Sequence, residues 1–238
     1  MTSVAAKTGG TAQGRGLKAS PHRRTAALPD QFGAEAQRVD RATLTELFAV
    51  AGAGASSALI ADRLLSETGS LPGVLALGAA DFARLGVTQE ARRALVALRS
   101  GITSVLRRSI EDRPCLCSSA SVIDYLHGEM AHLRVEQFRV LFLNNRNFLI
   151  ADEVMFEGSV RSAPVFPREI VGRAIELGAS AVIIVHNHTS GDPTPSADDI
   201  EVTKEIVAAA RLFDIMVHDH IVVGRQGHVR IAELGYMD

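Results

Sequence analysis

The apolar run Ala181-Val-Ile-Ile-Val185 ends directly on His186-Asn187-His188, and Ser196 and Asp199 follow at the spacing H-x-H-x7-S-x2-D. The run reads as a strand buried on both faces, because such strands lose the alternation of apolar and polar residues. The stretch from His188 to Pro195 is dense in Thr, Ser, Gly, Asp and Pro, which favour turns. Ser196-Ala-Asp-Asp199 then matches the S-x-x-D/E pattern that opens a helix. A buried strand, a turn-rich loop and a capped helix are therefore fixed in that order.

Residues two apart on an extended chain share one face, so His186 and His188 can converge as they leave the strand tip. The loop lets Asp199, in the first helical turn, return to the same point. Two neutral imidazole nitrogens and one carboxylate form a three-ligand set for a catalytic zinc, with a fourth position open to water. Zinc in such a site lowers the pKa of its water to about 7 and polarises a carbonyl oxygen. A glutamate that is not a ligand is then needed to move the proton. Glu136, Glu153, Glu157 and Glu169 all stand at plausible places, and spacing does not choose among them. Ser196 and Asp199 also satisfy a plain capping box, a role compatible with a metal site.

His218-Asp219-His220 repeats the H-x-H spacing but runs straight on into Ile221-Val222-Val223, with no third ligand at a suitable distance. It reads as structural, with Asp219 hydrogen-bonded within the fold and His220 packed near the end of the core. His22, His127, His132 and His228 stand alone and read as solvent-facing.

Residues 1–36 carry Gly9, Gly10, Gly14, Gly16, Pro21 and Pro29 with scattered basic side chains and little apolar periodicity. That composition predicts a disordered tail, and without an apolar h-region it is not a secretory signal. Residues 37–112 predict a small all-α domain. Leu44, Leu47 and Phe48 mark one helix, Leu59, Ile60, Leu64 and Leu65 a second, and Leu95, Leu98 and Ile102 a later one. Glycines at 52, 54, 69, 73 and 86 punctuate them, as in helix-hairpin-helix units or a generic bundle.

The helical period breaks at Glu111-Asp112-Arg113-Pro114, and residues 113–238 predict a mixed α/β domain. A helix over Val122–Leu133 precedes a strand to Leu143, an Asn144–Asn147 turn and a second strand over Phe148–Phe156. Pro167 opens a helix that Gly178 stops. After the motif, a helix over Ala197–Leu212 precedes strands at Ile215–Val223 and His228–Ile231.

Hydrophobic residues at 47% and charged ones at 22% are ordinary for a soluble globular protein. A net charge of -2 gives no global drive toward nucleic acid or membranes. Uninterrupted apolar runs stay far below the roughly 20 residues that span a bilayer. Cys115 and Cys117 suffice for neither a disulfide framework nor a structural zinc, which fits a reducing, cytoplasmic setting.

From about Val122 to Gly224 the chain resembles the RadC family of JAMM/MPN-type proteins. The resemblance rests on Glu136-Gln-Phe-Arg-Val-Leu-Phe-Leu143, Pro167-Arg-Glu-Ile170, Ala181 to His188, Ser190-Gly-Asp192, Pro195-Ser196, Asp199 and Asp219-His220. It implies an α+β fold, a cytidine deaminase-like mixed sheet flanked by helices, behind a helix-hairpin-helix-like N-terminal domain. It implies zinc on His186, His188 and Asp199, Ser196 beside the metal water, and Glu136 as the catalytic glutamate. The wider class contains zinc isopeptidases, so a protein or peptide substrate is expected, and RadC-like proteins are traditionally linked to DNA repair. A DNA-associated accessory role, or a nuclease using the same metal water, is the alternative.

Two departures stand out. Thr189 replaces a usual proline, and Leu85-Gly86-Val87-Thr88-Gln89-Glu90 replaces a G-x-G-x-x-K-like hairpin turn. Glu90 opposes phosphate binding there, while Arg92, Arg93, Arg107 and Arg108 restore some positive charge.

Overall fold

The computed structural model describes residues 30–111, 114, 115, 119–158 and 166–237. Residues 1–29 of the tail expected over 1–36, and Cys117, lie outside the described residues. Helix α1 (Asp30–Phe48) begins before the expected domain start at residue 37, so the predicted boundary falls inside it. Helices α2 (Ser57–Thr68), α3 (Leu71–Leu75), α4 (Ala79–Arg84) and α5 (Gln89–Glu111) complete the N-terminal module.

Gly33–Thr68 is by length and composition apolar enough to cross a membrane. It is broken at Gly52, however, where non-helical backbone separates α1 from α2. One stripe of it packs inward, Leu44, Phe48, Ala61 and Leu64 being fully buried with Val74, Phe82 and Leu95 in one cluster, while Val39, Val50 and Leu59 stay exposed. Each such large side chain contributes roughly 1.5–3 kcal/mol on burial.

In the second part, α6 (Ala120–Met130) leads into a sheet of β1 (Gln137–Leu143), β2 (Leu149–Glu157), β3 (Ala181–Asn187), β4 (Met216–Gly224) and β5 (Gly227–Arg230). The strand order is β2-β1-β3-β4-β5. Only the β3–β4 pair is parallel; the rest are antiparallel. Helices α7 (Pro167–Leu177) and α8 (Ala197–Arg211) precede and follow β3. The expected mixed sheet flanked by helices is the architecture observed.

Both faces are covered, which is why β3 is buried at every position. Ile183 and Val185 point to the α6 side, with Tyr125, Leu126 and Met130. Val182 and Ile184 point to the other, with Ile170 and Val171 of α7 and Val202 and Ile206 of α8. The buried stripe of α8 is Asp199, Val202, Thr203, Ile206 and Ala210, so helical periodicity sets the acid on the core side. Cys115 is buried, and burial first, then the Asp152 charge, pushes its thiol up to about 11. It is an inert core thiol.

Candidate metal centre

The centre lies beyond the carboxyl ends of β3 and β4, where α8 crosses from one to the other. His186 is the next residue after Val182 and Ile184 on the α7/α8 face of β3. Its ring stacks on Phe138, its cross-strand partner on β1, with centroids 6.3 Å apart and planes at 8°. His188 follows just past the strand. Asp199 reaches the same point from the first turn of α8.

His186 Nε2 lies 3.0 Å from His188 Nε2 and 3.2 Å from Asp199 Oδ1, and His188 Nε2 lies 3.4 Å from Asp199 Oδ2. Among the described residues, this is the one group of His, Cys, Asp and Glu side chains whose ligand atoms, all within 4.8 Å of one another, suit a metal ion. His186 and Asp199 are buried, and His188 is half-buried. His188 Nδ1 sits 2.9 Å from the Asp192 carbonyl oxygen. A carbonyl only accepts, so Nδ1 carries the hydrogen and Nε2 faces the centre.

Burial alone would favour a neutral Asp199. In the acid range where Asp199 would take up a proton and the histidines already carry theirs, hydrogen bonds from His186 and His188, then the His186 charge and the Ser196 hydroxyl, outweigh it and hold the carboxyl well below its usual range. The Asp199 hydrogen bond raises His188 against the opposing effect of burial, helped by the Asp192 carbonyl and the Asp199 and Glu136 charges. An ionised buried carboxylate facing two imidazole nitrogens is a donor set of the kind that holds zinc and similar divalent ions. The residues present fit a metal.

Ser196 and Asp199 do form the capping box: Ser196 N–H and Oγ–H donate to Asp199 Oδ2 at 2.7 and 2.6 Å, and Asp199 N–H donates to Ser196 Oγ at 3.2 Å. One carboxylate oxygen thus caps the helix while the other faces His186. The Ser196 hydrogen is committed to Asp199, so the hydroxyl must release it before it can steady anything else.

Glu136 immediately precedes β1. Extending the pairing of Phe138 with His186 by two residues sets Glu136 opposite His188, on the same face. Asn187, pointing the other way and buried, staples this segment. Its Oδ1 accepts from Gln137 N–H at 2.7 Å and its Nδ2 donates to the Val135 carbonyl at 3.2 Å. The other acids are engaged elsewhere. Arg173 donates to both Glu153 oxygens at 2.7 and 2.9 Å, Glu157 accepts from Gln137 Nε2 at 2.7 Å, and exposed Glu169 pairs with Arg168.

The loop after His188 is clamped from β4. Arg225 donates to the Thr189 and Ser190 carbonyls at 3.0 and 2.7 Å. Gly191 has φ +92°, and a Cβ on Gly224 would lie 2.3 Å from the Gly191 carbonyl oxygen. Neither position accepts a side chain without displacing the loop that presents the Asp192 carbonyl to His188. The Thr189 departure is harmless here, since only its carbonyl is used.

Two expectations about histidines need correction. His220 is not merely packed; its Nε2 lies 2.7 Å from His186 Nδ1. A histidine on a strand that runs straight on into Ile221-Val222-Val223 is drawn into the core and must find a buried partner, which is the available signal. Asp219 is hydrogen-bonded within the fold as expected, accepting from Arg230 Nε at 2.6 Å and Ala232 N–H at 3.1 Å. His127 and His132 do not stand alone; both are half-buried, and their rings meet edge to face at 6.5 Å. His228 is exposed as expected, and His22 lies outside the described residues.

The family model for the RadC-like JAB domain matches residues 116–236. A UPF0758 protein of Rhodobacter capsulatus is 46% identical over 167 residues, which make up 70% of this chain and 78% of that protein. The family match runs through the whole sheet and takes in Glu136, both motif histidines, Ser196 and Asp199. The chain belongs to the RadC family.

Proposed function

We propose that the protein is a zinc-dependent hydrolase that cleaves amide or isopeptide bonds in a protein or peptide substrate. The observation that carries this reading is the convergence of two imidazole nitrogens and a buried, ionised carboxylate beside a glutamate outside that set. His186, His188 and Asp199 would hold the zinc, which lowers the pKa of a bound water to about 7 and polarises a carbonyl. Glu136 takes a proton at its carboxylate and returns it to the leaving amine, a task for a group near the site but not on the metal. Asn187 keeps Glu136 in reach by holding the backbone on both sides of it. Ser196 orients Asp199 and steadies the tetrahedral intermediate once its hydrogen swings away from Oδ2.

The hairpin between α4 and α5 gives little support to a DNA-binding reading. Hairpins that hold phosphate do so with free backbone N–H groups. Here Gly86 and Val87 N–H already donate to the Ala83 and Phe82 carbonyls at 3.2 and 3.0 Å.

The test is a panel of peptide, lysine-isopeptide and DNA substrates offered to purified, zinc-loaded protein. Cleavage of a peptide or isopeptide that a chelator abolishes and zinc restores is the expected result. Metal-dependent cleavage of DNA alone would replace this reading with the nuclease one. A pH series adds an independent check. His188 is raised above its ordinary value, so its proton competes with metal already at mildly acidic pH, whereas Asp199 stays ionised. Zinc affinity is expected to be level at alkaline pH and to fall by about tenfold per pH unit once His188 protonates. Competitive titration against a chelating dye measures it.

A further inference from the structure

We propose that His220 and Thr203 are positioning residues that hold His186 as its Nδ1–H tautomer, leaving Nε2 bare toward His188 and Asp199. The geometry stands by itself; the consequence for metal binding rests on the function proposed above. The assignment starts from a group with no choice. The Asp199 backbone carbonyl only accepts, and Thr203 Oγ1 lies 2.5 Å from it, one turn along α8. The single Thr203 hydroxyl hydrogen goes there.

His220 Nδ1 lies 2.5 Å from the same Oγ1. That oxygen has no second hydrogen to give, so His220 Nδ1 must donate. His220 is fully buried, lies edge-on to Phe138 at 5.5 Å, and its ring hydrogen bonds go to Thr203 and His186. With no carboxylate among those partners, burial keeps the ring neutral, and its Nε2 is an acceptor. His186 Nδ1, 2.7 Å away, therefore carries the hydrogen.

The chain Asp199 C=O, Thr203, His220, His186 thus runs from the backbone of one metal-facing residue to the ring of another. Its two ends face each other across the centre, with His186 Nε2 3.2 Å from Asp199 Oδ1. Its effect is to present a lone pair to the centre before any ion arrives. A ring released from His220 could carry its hydrogen on Nε2 and oppose a cation. Partners of this kind typically change metal affinity by about 10–100-fold.

The test is 15N NMR of histidine-labelled, metal-free protein at mildly alkaline pH, which reads each ring's tautomer, combined with zinc and cobalt titrations. Wild type is expected to show both His186 and His220 protonated at Nδ1. His220→Phe keeps a ring and removes both nitrogens; it is expected to move His186 toward Nε2–H and weaken both metals by about 10–100-fold. His220→Gln returns an acceptor oxygen toward His186 and is expected to recover most of that affinity. Should His220→Phe not fold, Thr203→Val removes only the hydroxyl and is expected to shift His186 in the same direction, less far.

An Nε2–H His186 in wild type overturns the proposal. So does a His186 tautomer and metal affinity unchanged in the folded variants. Wild type with Nδ1–H His186 that takes up neither metal supports the tautomer assignment and overturns the metal reading.

Discussion

Asp199→Ala is expected to abolish metal binding and leave a folded protein. The carboxylate is the negative charge that meets both histidine nitrogens, 3.2 Å from one and 3.4 Å from the other. Its loss should exceed the about 10–100-fold that follows removal of an outer hydrogen-bond partner. The same change removes the acceptor for Ser196 N–H and Oγ–H, one half of the capping box, and should cost no more than the about 0.5–2 kcal/mol of a whole cap. The rest of α8 keeps its anchors, since Val202, Ile206 and Ala210 remain in the core. Asp199→Asn separates the two effects. The amide oxygen still accepts from Ser196, so the thermal midpoint should recover while metal affinity stays low. Calorimetric titration with zinc, alongside thermal melts of the metal-free proteins, reads both. Full zinc occupancy in Asp199→Ala would remove the centre as described.

Glu136→Gln is expected to behave in the opposite way, with full metal content and hydrolysis reduced by about 10²–10⁴-fold, the range ascribed to general acid–base catalysis. Glutamine has nearly the same shape. The backbone on either side stays pinned by Asn187, and Gly158 N–H still donates to the residue's carbonyl at 2.8 Å. What changes is the ability to take up a proton. Metal stoichiometry and kcat on the same preparation decide the matter; unaltered turnover would assign the proton transfer to another group.

Those two roles were not equally legible in the sequence. His186, His188 and Asp199 belong to one strand–loop–helix unit, and each link has a local signal: β-branched residues, turn formers, a capping serine. Pro167 at a helix start, Gly178 at its end and the Asn144–Asn147 turn are local in the same sense, and each element lies where expected within a few residues. Glu136 arrives by antiparallel pairing with a strand some fifty positions away, as the Gln137–Asn187 bond shows. No spacing rule selects it over Glu153, which only tertiary structure shows to be held by Arg173. The same limit hid Asn187 and His220, whose roles depend on which strands are neighbours. The start of α1 carries no such local signal, because residues 30–36 hold a single large apolar side chain, Phe32, and so show no apolar period.

The three metal-facing groups span only fourteen consecutive residues, from the tip of β3 to the first turn of α8. An incoming ion would therefore cinch a single surface bend, while the sheet and its helices stand on apolar contacts that owe nothing to the cation. Depletion should silence such a protein without unfolding it, and resupply should revive it at once. Its activity would then track the local availability of the ion, while its abundance would not.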